Sequence, residues 1–513
     1  MPIFGSSDAE VTATLEPSPG VPEPDTPFRL AILGDWGGRA SRGRGAISPE
    51  PAVRRPLMID RDNFDDVMAR LRVEVHLSTA TESVPRIPIR FASLDDFHPD
   101  QIYNQVRLFE TLRGMRDRLS DPRTFAEAAR AVRGWAGLEP APRSEPAERR
   151  AIPDTTAPAS GSLLDHMLEA AEGNQQAAQR VWTSPELTAL LRDVVRPHLV
   201  PEEDPQQAEL IAFVDEAAGD LMRAILRHPE FQSIEAAWRA AYFLISRLET
   251  GTDLKLYLID ITKDELRAAL TAEDVRATDI YKLIVEQTVE TPGGQPWAAL
   301  VGNYTFDATR EDAELLARLG RLARRAGAPF IAAAHPRLAG CESLAATPDP
   351  RDWRQSARPD ATATWAALRE LPEAAYLGLA LPRFLLRLPY GAETDPIDSF
   401  DFEEMPQIDH ESYLWGNPAF ACALLLGQAF SAEGWGLRPG IVQEIENLPL
   451  HVYETQDESE IKPCAEVTLT EQAVNSIIDK GLMPLLSYRG RDTIRLALFQ
   501  SLAGGPIAGR WRN

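Results

Sequence analysis

Short apolar runs alternate with helical patterns over the second half of this chain, and this alternation limits the fold more than any other feature. Three runs, at 254–261, 297–302 and 330–334, have the length and composition of buried strands. Between the last two, residues 311–325 place leucines at helical spacing. Strand and helix patterns in this order predict a mostly parallel sheet covered by helices.

A further apolar run, Tyr376 to Leu381, ends at Pro382, which cannot donate to a sheet ladder. Arg383 and Arg387 follow, four residues apart, and an acidic stretch comes next. These charges could form an internal salt network, or they could join neighbouring copies of the chain. Exposed pairs contribute about 0–1 kcal/mol each, but repeated pairs can still set the register of an assembly. The candidate interface residues here are Arg383, Arg387, Asp395, Asp401, Glu403 and Glu404.

The first part of the chain predicts a smaller mixed unit. An apolar strand at 28–33 is followed by an amphipathic helix at 60–71. Alternating runs at 71–77 and 87–91, separated by polar turn residues, predict a hairpin. Near the other end of the chain, 466–469 is one of several candidate strands.

Shifts in composition divide the chain into five parts. We expect an α/β protein with an α+β N-terminal part, in which a small mixed-sheet domain is fused to a larger domain with a mostly parallel sheet. Proline-rich and polar stretches supply the flexible connections. The predicted parts are a lead-in at 1–26, the small domain at 27–137, a linker at 138–161, a helical segment at 162–206 and the large domain at 207–513.

The charge balance and the cysteines exclude several classes of protein. A net charge of −24 argues against binding nucleic acid or an anionic membrane surface. Cys341, Cys422 and Cys464 are too widely spaced for a disulfide framework or a zinc site. We see no signal peptide and no apolar run that could span a bilayer. We therefore expect a cytoplasmic protein without membrane insertion.

No segment carries a convincing catalytic, cofactor or metal pattern. The glycine-rich loop at 34–45 follows a strand but lacks a Gly-Lys-Ser/Thr ending, so we interpret it as a mobile surface loop. His335 follows a strand, and residues 409–411 (Asp-His-Glu) form one local cluster without further ligands at a suitable spacing. No serine elbow or cysteine–histidine pairing is evident. We expect no enzyme activity, no cofactor and no metal, and His228 caps a helix.

One motif in the N-terminal part is specific. It follows the paired strand patterns and leads into a helix that begins near Pro99. With this order of elements, residues 27–135 resemble the small sheath subunit of bacterial type VI secretion systems, the VipA-like family. The motif residues are Phe91, Leu94, Asp95, Asp96, Phe97 and Pro99.

Seven sequence blocks in the remainder resemble the large sheath subunit of the same systems, the VipB-like family. They occur in the family's order from about residue 162 onward, so the chain resembles the two subunits fused head to tail. The blocks lie at 228–245, 254–266, 293–306, 381–396, 400–404, 413–420 and 481–485.

The resemblance implies a structural role in a contractile sheath. Copies would stack into a helical tube around an inner tube, exchange strands with neighbours, meet baseplate components and contract to propel the inner tube. In the large-subunit family, a short N-terminal helix with a Leu-Leu-Asp pattern is taken up by an AAA+ recycling ATPase. A similar pattern here could instead be a packed core helix. Its residues are Leu163, Leu164, Asp165 and Leu168.

The resemblance also contains one departure. Large subunits normally continue beyond the region that matches Ser501 with strands that join the intersubunit mesh, whereas this chain ends at Asn513. We expect either that another polypeptide supplies these strands or that the protein is a non-polymerising paralogue that caps, adapts or regulates a sheath. An enzyme built on the α/β domain is a distant third alternative.

Overall fold

Strands from both parts of the chain build one central sheet in the computed structural model. The structure describes residues 21–42, 55–77, 87–135, 207–353, 359–455 and 458–511. The strands in these residues are β1 (Phe28–Gly34), β2 (Leu57–Ile59), β3 (Val73–Leu77), β4 (Ile87–Phe91), β5 (Leu254–Asp260), β6 (Ala299–Phe306), β7 (Phe330–Ala334), β8 (Leu377–Leu381), β9 (Phe384–Leu385), β10 (Trp415–Gly416), β11 (Glu444–Ile445), β12 (His451–Thr455), β13 (Glu458–Lys462), β14 (Met483–Ser487) and β15 (Ile494–Leu496).

Over the described residues, the central sheet has nine strands in the order β11-β15-β14-β8-β7-β6-β1-β5-β2. The six strands from β14 to β5 in this order run parallel, and antiparallel strands close both edges. β1 lies inside the sheet and pairs with β5 on one side and β6 on the other. The N-terminal part therefore supplies an interior strand of the sheet.

Helices cover both faces of the sheet, and local signals set several of their ends. The His228 side chain accepts a hydrogen bond from the backbone N–H of Glu230 at the start of α6, and Thr262 with Glu265 forms a capping box at the start of α7. The helices are α1 (Phe64–Leu71), α2 (Pro99–Gln105), α3 (Glu110–Ser120), α4 (Phe125–Trp135), α5 (Gln207–Leu226), α6 (Pro229–Arg247), α7 (Lys263–Thr271), α8 (Asp279–Tyr281, continuing as a π-helix over Lys282–Glu290), α9 (Arg310–Ala326), α10 (Pro336–Ala339), α11 (Pro359–Glu370), α12 (Pro418–Glu433) and α13 (Glu471–Asp479).

Alternate residues of β1 face two different hydrophobic layers. Leu30 and Ile32 belong to the layer that contains α5, α6 and α12, whereas Ala31 and Leu33 belong to the layer that contains α7 and α9. Trp238 on α6 anchors the first layer, because its ring meets Trp36 edge-on with the centroids 5.3 Å apart. The sheet thus separates two opposite helical faces, which matters for the placement of surface charge.

The structure confirms the predicted fold class, an α/β protein with a mostly parallel sheet. It also confirms the N-terminal hairpin, since β3 and β4 pair antiparallel. The candidate strand at 466–469 is wrong. Arg383 binds the start of this segment in two ways. Its carbonyl accepts the backbone N–H of Glu466 (2.9 Å), and its side chain pairs with the Glu466 carboxylate. The segment is thus held by contacts with Arg383 and not by the hydrogen-bond ladder of a β-sheet.

Substitution of Gly481 tests whether the tight turn between α13 and β14 requires glycine. Its φ is +77°, and an added Cβ would lie 2.4 Å from the carbonyl oxygen of Leu502. Gly481→Ala combines a left-handed backbone with a backbone clash, so we expect it to lower the free energy of unfolding by about 2–4 kcal/mol in urea titrations. The control Gly505→Ala places its Cβ in open space and should show no loss. Equal stability of the two variants would contradict this account.

Candidate functional site

A buried charge network lies directly after β9 and is centred on Arg387. Its guanidinium group contacts Glu235 Oε1 on α6 at 2.8 Å and Glu404 Oε2 at 2.7 Å. The side chains of Glu235 and Glu404 are 0% and 2% exposed, so both carboxylates depend on protein groups for solvation. Arg239 adds a second cation, 2.7 Å from Glu235. Arg387 and Glu404 therefore form the internal network that the sequence left as one of two alternatives.

The electrostatics of this network favour the charged forms of Glu235 and Arg387. Burial alone would raise the pKa of Glu235, but Arg387 and Arg239 outweigh burial and lower it. Burial alone would lower the pKa of Arg387, but Glu235 and Glu404 raise it well above its usual value. Burial raises the pKa of Tyr390 to about 12, so this phenol stays neutral. The network is a fixed set of ion pairs at neutral pH.

The acidic stretch at 393–404, hereafter the acidic segment, is held in place by its backbone. Arg223 on α5 donates to the carbonyl of Glu403 at 3.0 Å. The carboxylate of Asp100 accepts the backbone N–H groups of Asp398 (3.0 Å) and Ser399 (2.9 Å). Because these contacts use backbone groups, most acidic side chains of the segment remain at the surface, and the exception is Glu404, which is buried.

The predicted interface residues separate into two groups. Asp395, Asp401 and Glu403 are exposed, and Glu404 is buried against Arg387. The carboxylate of Asp395 lies 3.9 Å from His98, and its side chain remains 60% exposed. The remaining predicted residues lie outside the part of the chain that the structure describes: Leu163, Leu164, Asp165 and Leu168.

Arg383 belongs to a second charge cluster, on the other side of β9. It pairs with Glu466, which also lies 3.3 Å from His410 Nε2. Burial alone would raise the pKa of Glu466, but hydrogen bonds from His410 and Arg383 lower it to about 2. His410 is thus engaged with Glu466 and with Lys462 (2.9 Å). Within the described residues, no group of three or more His, Cys, Asp or Glu side chains could hold a metal ion.

Over its described residues, the glycine-rich loop lies largely buried at the carboxyl ends of β1 and β5, so the expectation of a surface loop is wrong there. Asp260 at the end of β5 accepts the backbone N–H of Trp36 (2.9 Å) and of Gly37 (3.3 Å). Arg39 pairs with Asp260 and with Glu265. The backbone N–H groups of Trp36 and Gly37 are therefore already paired with a protein carboxylate. The residues from 43 onward in this loop lie outside the described ranges.

Sequence reasoning missed Glu235 and Glu466 as partners of the two arginines. A signal for Glu235 was present, because it lies four residues after Phe231 and therefore on the apolar face of α6. An acidic residue on a buried face requires a cation nearby. Glu466 offered no comparable local signal.

Comparisons with known proteins come from both parts of the chain. Residues 208–503 match the VipB family, described as the EvpB tail sheath N-terminal domain, and residues 14–134 match the VipA family of type VI secretion systems. The chain is also 35% identical over 301 residues to the type VI secretion system sheath protein TssC1 of Pseudomonas aeruginosa. This match covers 57% of the chain and 60% of the relative's length. In the described ranges, every helix is too short or too polar to cross a bilayer.

Arg387→Ala tests the buried network. The change leaves Glu235 without its main partner and removes both contacts to Glu404, so we expect a loss of about 3–5 kcal/mol in the free energy of unfolding. The triple variant Arg387→Met, Glu235→Gln, Glu404→Gln leaves no carboxylate in this network and should recover part of that loss. Arg310→Ala removes an exposed pair with Glu314 and should lose at most about 0.5 kcal/mol. A similar loss from both single variants would contradict the network.

Glu466 predicts a defined pH dependence. Its folded-state pKa of about 2 lies below the ordinary value of 4.5, so its charge stabilises the fold above pH 4.5 and the contribution disappears as pH falls toward 2. Glu466→Gln should lower the free energy of unfolding by about 2–3 kcal/mol at pH 7, and the difference from wild type should shrink with acidification. Urea titrations from pH 7 to about pH 3, with Glu314→Gln as a surface control, measure this. A difference that is constant with pH would contradict the assignment.

Proposed function

The chain belongs to the VipB tail-sheath family and carries a VipA-type region ahead of it, and from this premise we propose that it is a structural subunit of the contractile sheath of a type VI secretion system. Copies polymerise into a helical tube around an inner tube and contract to propel it. The observation that carries this proposal is the family match over residues 208–503. The VipA match at 14–134 supports a fused small and large subunit, with 27–137 and 207–513 as the two parts.

An open hairpin supports assembly by strand exchange. Within the described residues, β12 and β13 pair only with each other, and they stand outside the central sheet. Val452 and Ile461 face each other across the hairpin and are 50% and 36% exposed. Unpaired strand edges bind further strands through main-chain hydrogen bonds. We propose that a neighbouring copy, or another polypeptide, adds strands to this hairpin.

The proposed role requires no catalysis by this chain. Contraction draws on the difference in contact free energy between an extended and a contracted assembly. The partners we propose are further copies of the chain, the inner tube protein, baseplate components and an AAA+ recycling ATPase that takes up the segment containing Leu163. The described cysteines are free and buried, which suits a reducing cytoplasm.

The first test is imaging of the full chain. We expect purified residues 1–513 to form tubes with a regular helical repeat in negative-stain electron microscopy, alone or with the polypeptide that supplies further strands. Val452→Asp with Ile461→Asp places charge on the open hairpin and should abolish tubes without lowering the unfolding temperature, because both side chains are exposed.

The matched control for this variant is Val289→Asp with Ile441→Asp. These exposed residues belong to other parts of the chain than β12 and β13, and their substitution adds the same charge. Tubes from the hairpin variant would contradict strand addition there. Discrete particles from every sample, including mixtures with neighbouring gene products, would contradict the polymerising role and favour a cap, adaptor or regulator.

A further inference from the structure

A groove with a basic rim lies between α7, α8 and α9. It encloses about 220 Å³ and has an apolar floor. The arginines project from α9 and from the short turn Val275–Ala277 that precedes α8. We call this feature the basic groove, and its residues are Arg276, Arg318, Arg321 and Arg325 on the rim with Leu270, Val275, Tyr281 and Leu322 on the floor.

Two of the rim arginines have guanidinium groups without a hydrogen bond or ion pair to the residues that the structure describes. Arg325 pairs with Glu290 at 2.9 Å, and Arg318 donates to the carbonyl of Leu270 at 3.1 Å. The guanidinium groups of Arg276 and Arg321 make neither hydrogen bonds nor ion pairs with the described residues, and both side chains are exposed. Arg276 and Arg321 thus add exposed positive charge to the groove in a chain with a net charge of −24, and such charge attracts an anionic partner.

The acidic segment carries exposed charge of the opposite sign. The carboxylates of Glu393 and Asp398 are exposed and make no ion pair with any described residue. Pro396, between them, is also exposed and offers an apolar surface to a groove floor. The segment therefore presents fixed negative charge on a backbone that Asp100 and Arg223 hold in place.

The two surfaces lie on opposite faces of the sheet. Phe400 and Phe402 of the acidic segment pack in the layer of α5, α6 and α12, whereas Leu270, Tyr281 and Leu322 of the basic groove pack in the other layer. One molecule therefore cannot close its own acidic segment into its own groove. Two copies can make the contact head to tail, the groove of one on the segment of the next, and such a heterologous contact can be repeated by further copies.

We propose that the basic groove of one copy binds the acidic segment of a neighbouring copy. The inference rests on the proposed function, because it names one contact through which copies of this chain associate. Arg276 and Arg321 bind the carboxylates of the segment, and the groove floor covers Pro396.

Charge reversal on each side tests the contact with the full chain. Arg276→Glu with Arg321→Glu changes the groove, and Glu393→Lys with Asp398→Lys changes the segment. Each variant alone should weaken self-association about tenfold or more in sedimentation velocity at about 50 mM salt. A mixture of the two variants should recover association, because the reversed groove of one chain matches the reversed segment of the other. Salt at about 1 M should weaken the wild-type contact.

The matched control is Arg310→Glu with Arg351→Glu. It makes the same change in net charge at exposed arginines outside the groove, of which Arg310 lies on the same helix. The control should associate like wild type. Circular dichroism and unfolding temperatures of all variants separate a lost contact from a lost fold.

The outcomes distinguish this contact from the function on which it rests. Tubes from wild type and from the groove variant alike would overturn the contact and leave the sheath role intact. Salt-sensitive oligomers that the groove variant loses and the mixture restores, without tubes, would support the contact and contradict the sheath role. A wild-type chain that remains monomeric at both salt concentrations would overturn both. Equal loss in the control variant would also overturn the contact, since net charge alone would then explain the effect.

Discussion

The parallel pairing of β1 with β5 and β6 is the interaction on which the rest of the structure depends. β1 comes from the VipA-type region, and both of its neighbours come from the VipB-type region. An interior strand contributes ladder hydrogen bonds on both edges and apolar side chains on both faces. The two family regions therefore share one core, and joining them in one chain turns the pairing into an intramolecular event at high effective concentration.

Around this shared core, buried charge fixes the position of surface charge. Arg387 joins Glu235 on α6 to Glu404 at the end of the acidic segment. A buried ion pair adds little net stability compared with apolar packing, yet removal of one partner is severe, so its main effect is to specify a single arrangement. That arrangement holds the exposed carboxylates of Asp395 and Asp401 on an ordered backbone, where they can contact a partner with little loss of conformational entropy.

The sequence predicted the features that local periodicity encodes. The alternation of apolar strands with amphipathic helices gave the α/β class and the mostly parallel sheet, and the alternating runs before Phe91 gave the β3–β4 hairpin. Periodicity carries no information about which distant strands pair, so the interior place of β1 was not predictable from it. The wrong strand at 466–469 has the same origin, since the alternation there resembles a ladder but Arg383 supplies the partner groups.

The groups that remain available for partners lie on different surfaces of the molecule. The open β12–β13 hairpin offers main-chain groups, the acidic segment offers carboxylates on one face of the sheet, and the basic groove offers guanidinium groups on the other. A surface that must pair with itself across a twofold axis would carry both members of each charge pair on one patch. Here the two signs lie apart on opposite faces, so the contact that satisfies them is heterologous: the groove of one copy meets the segment of the next. Such a contact leaves a groove free on one terminal copy and a segment free on the other, so further copies can add, as growth of an open helical tube requires.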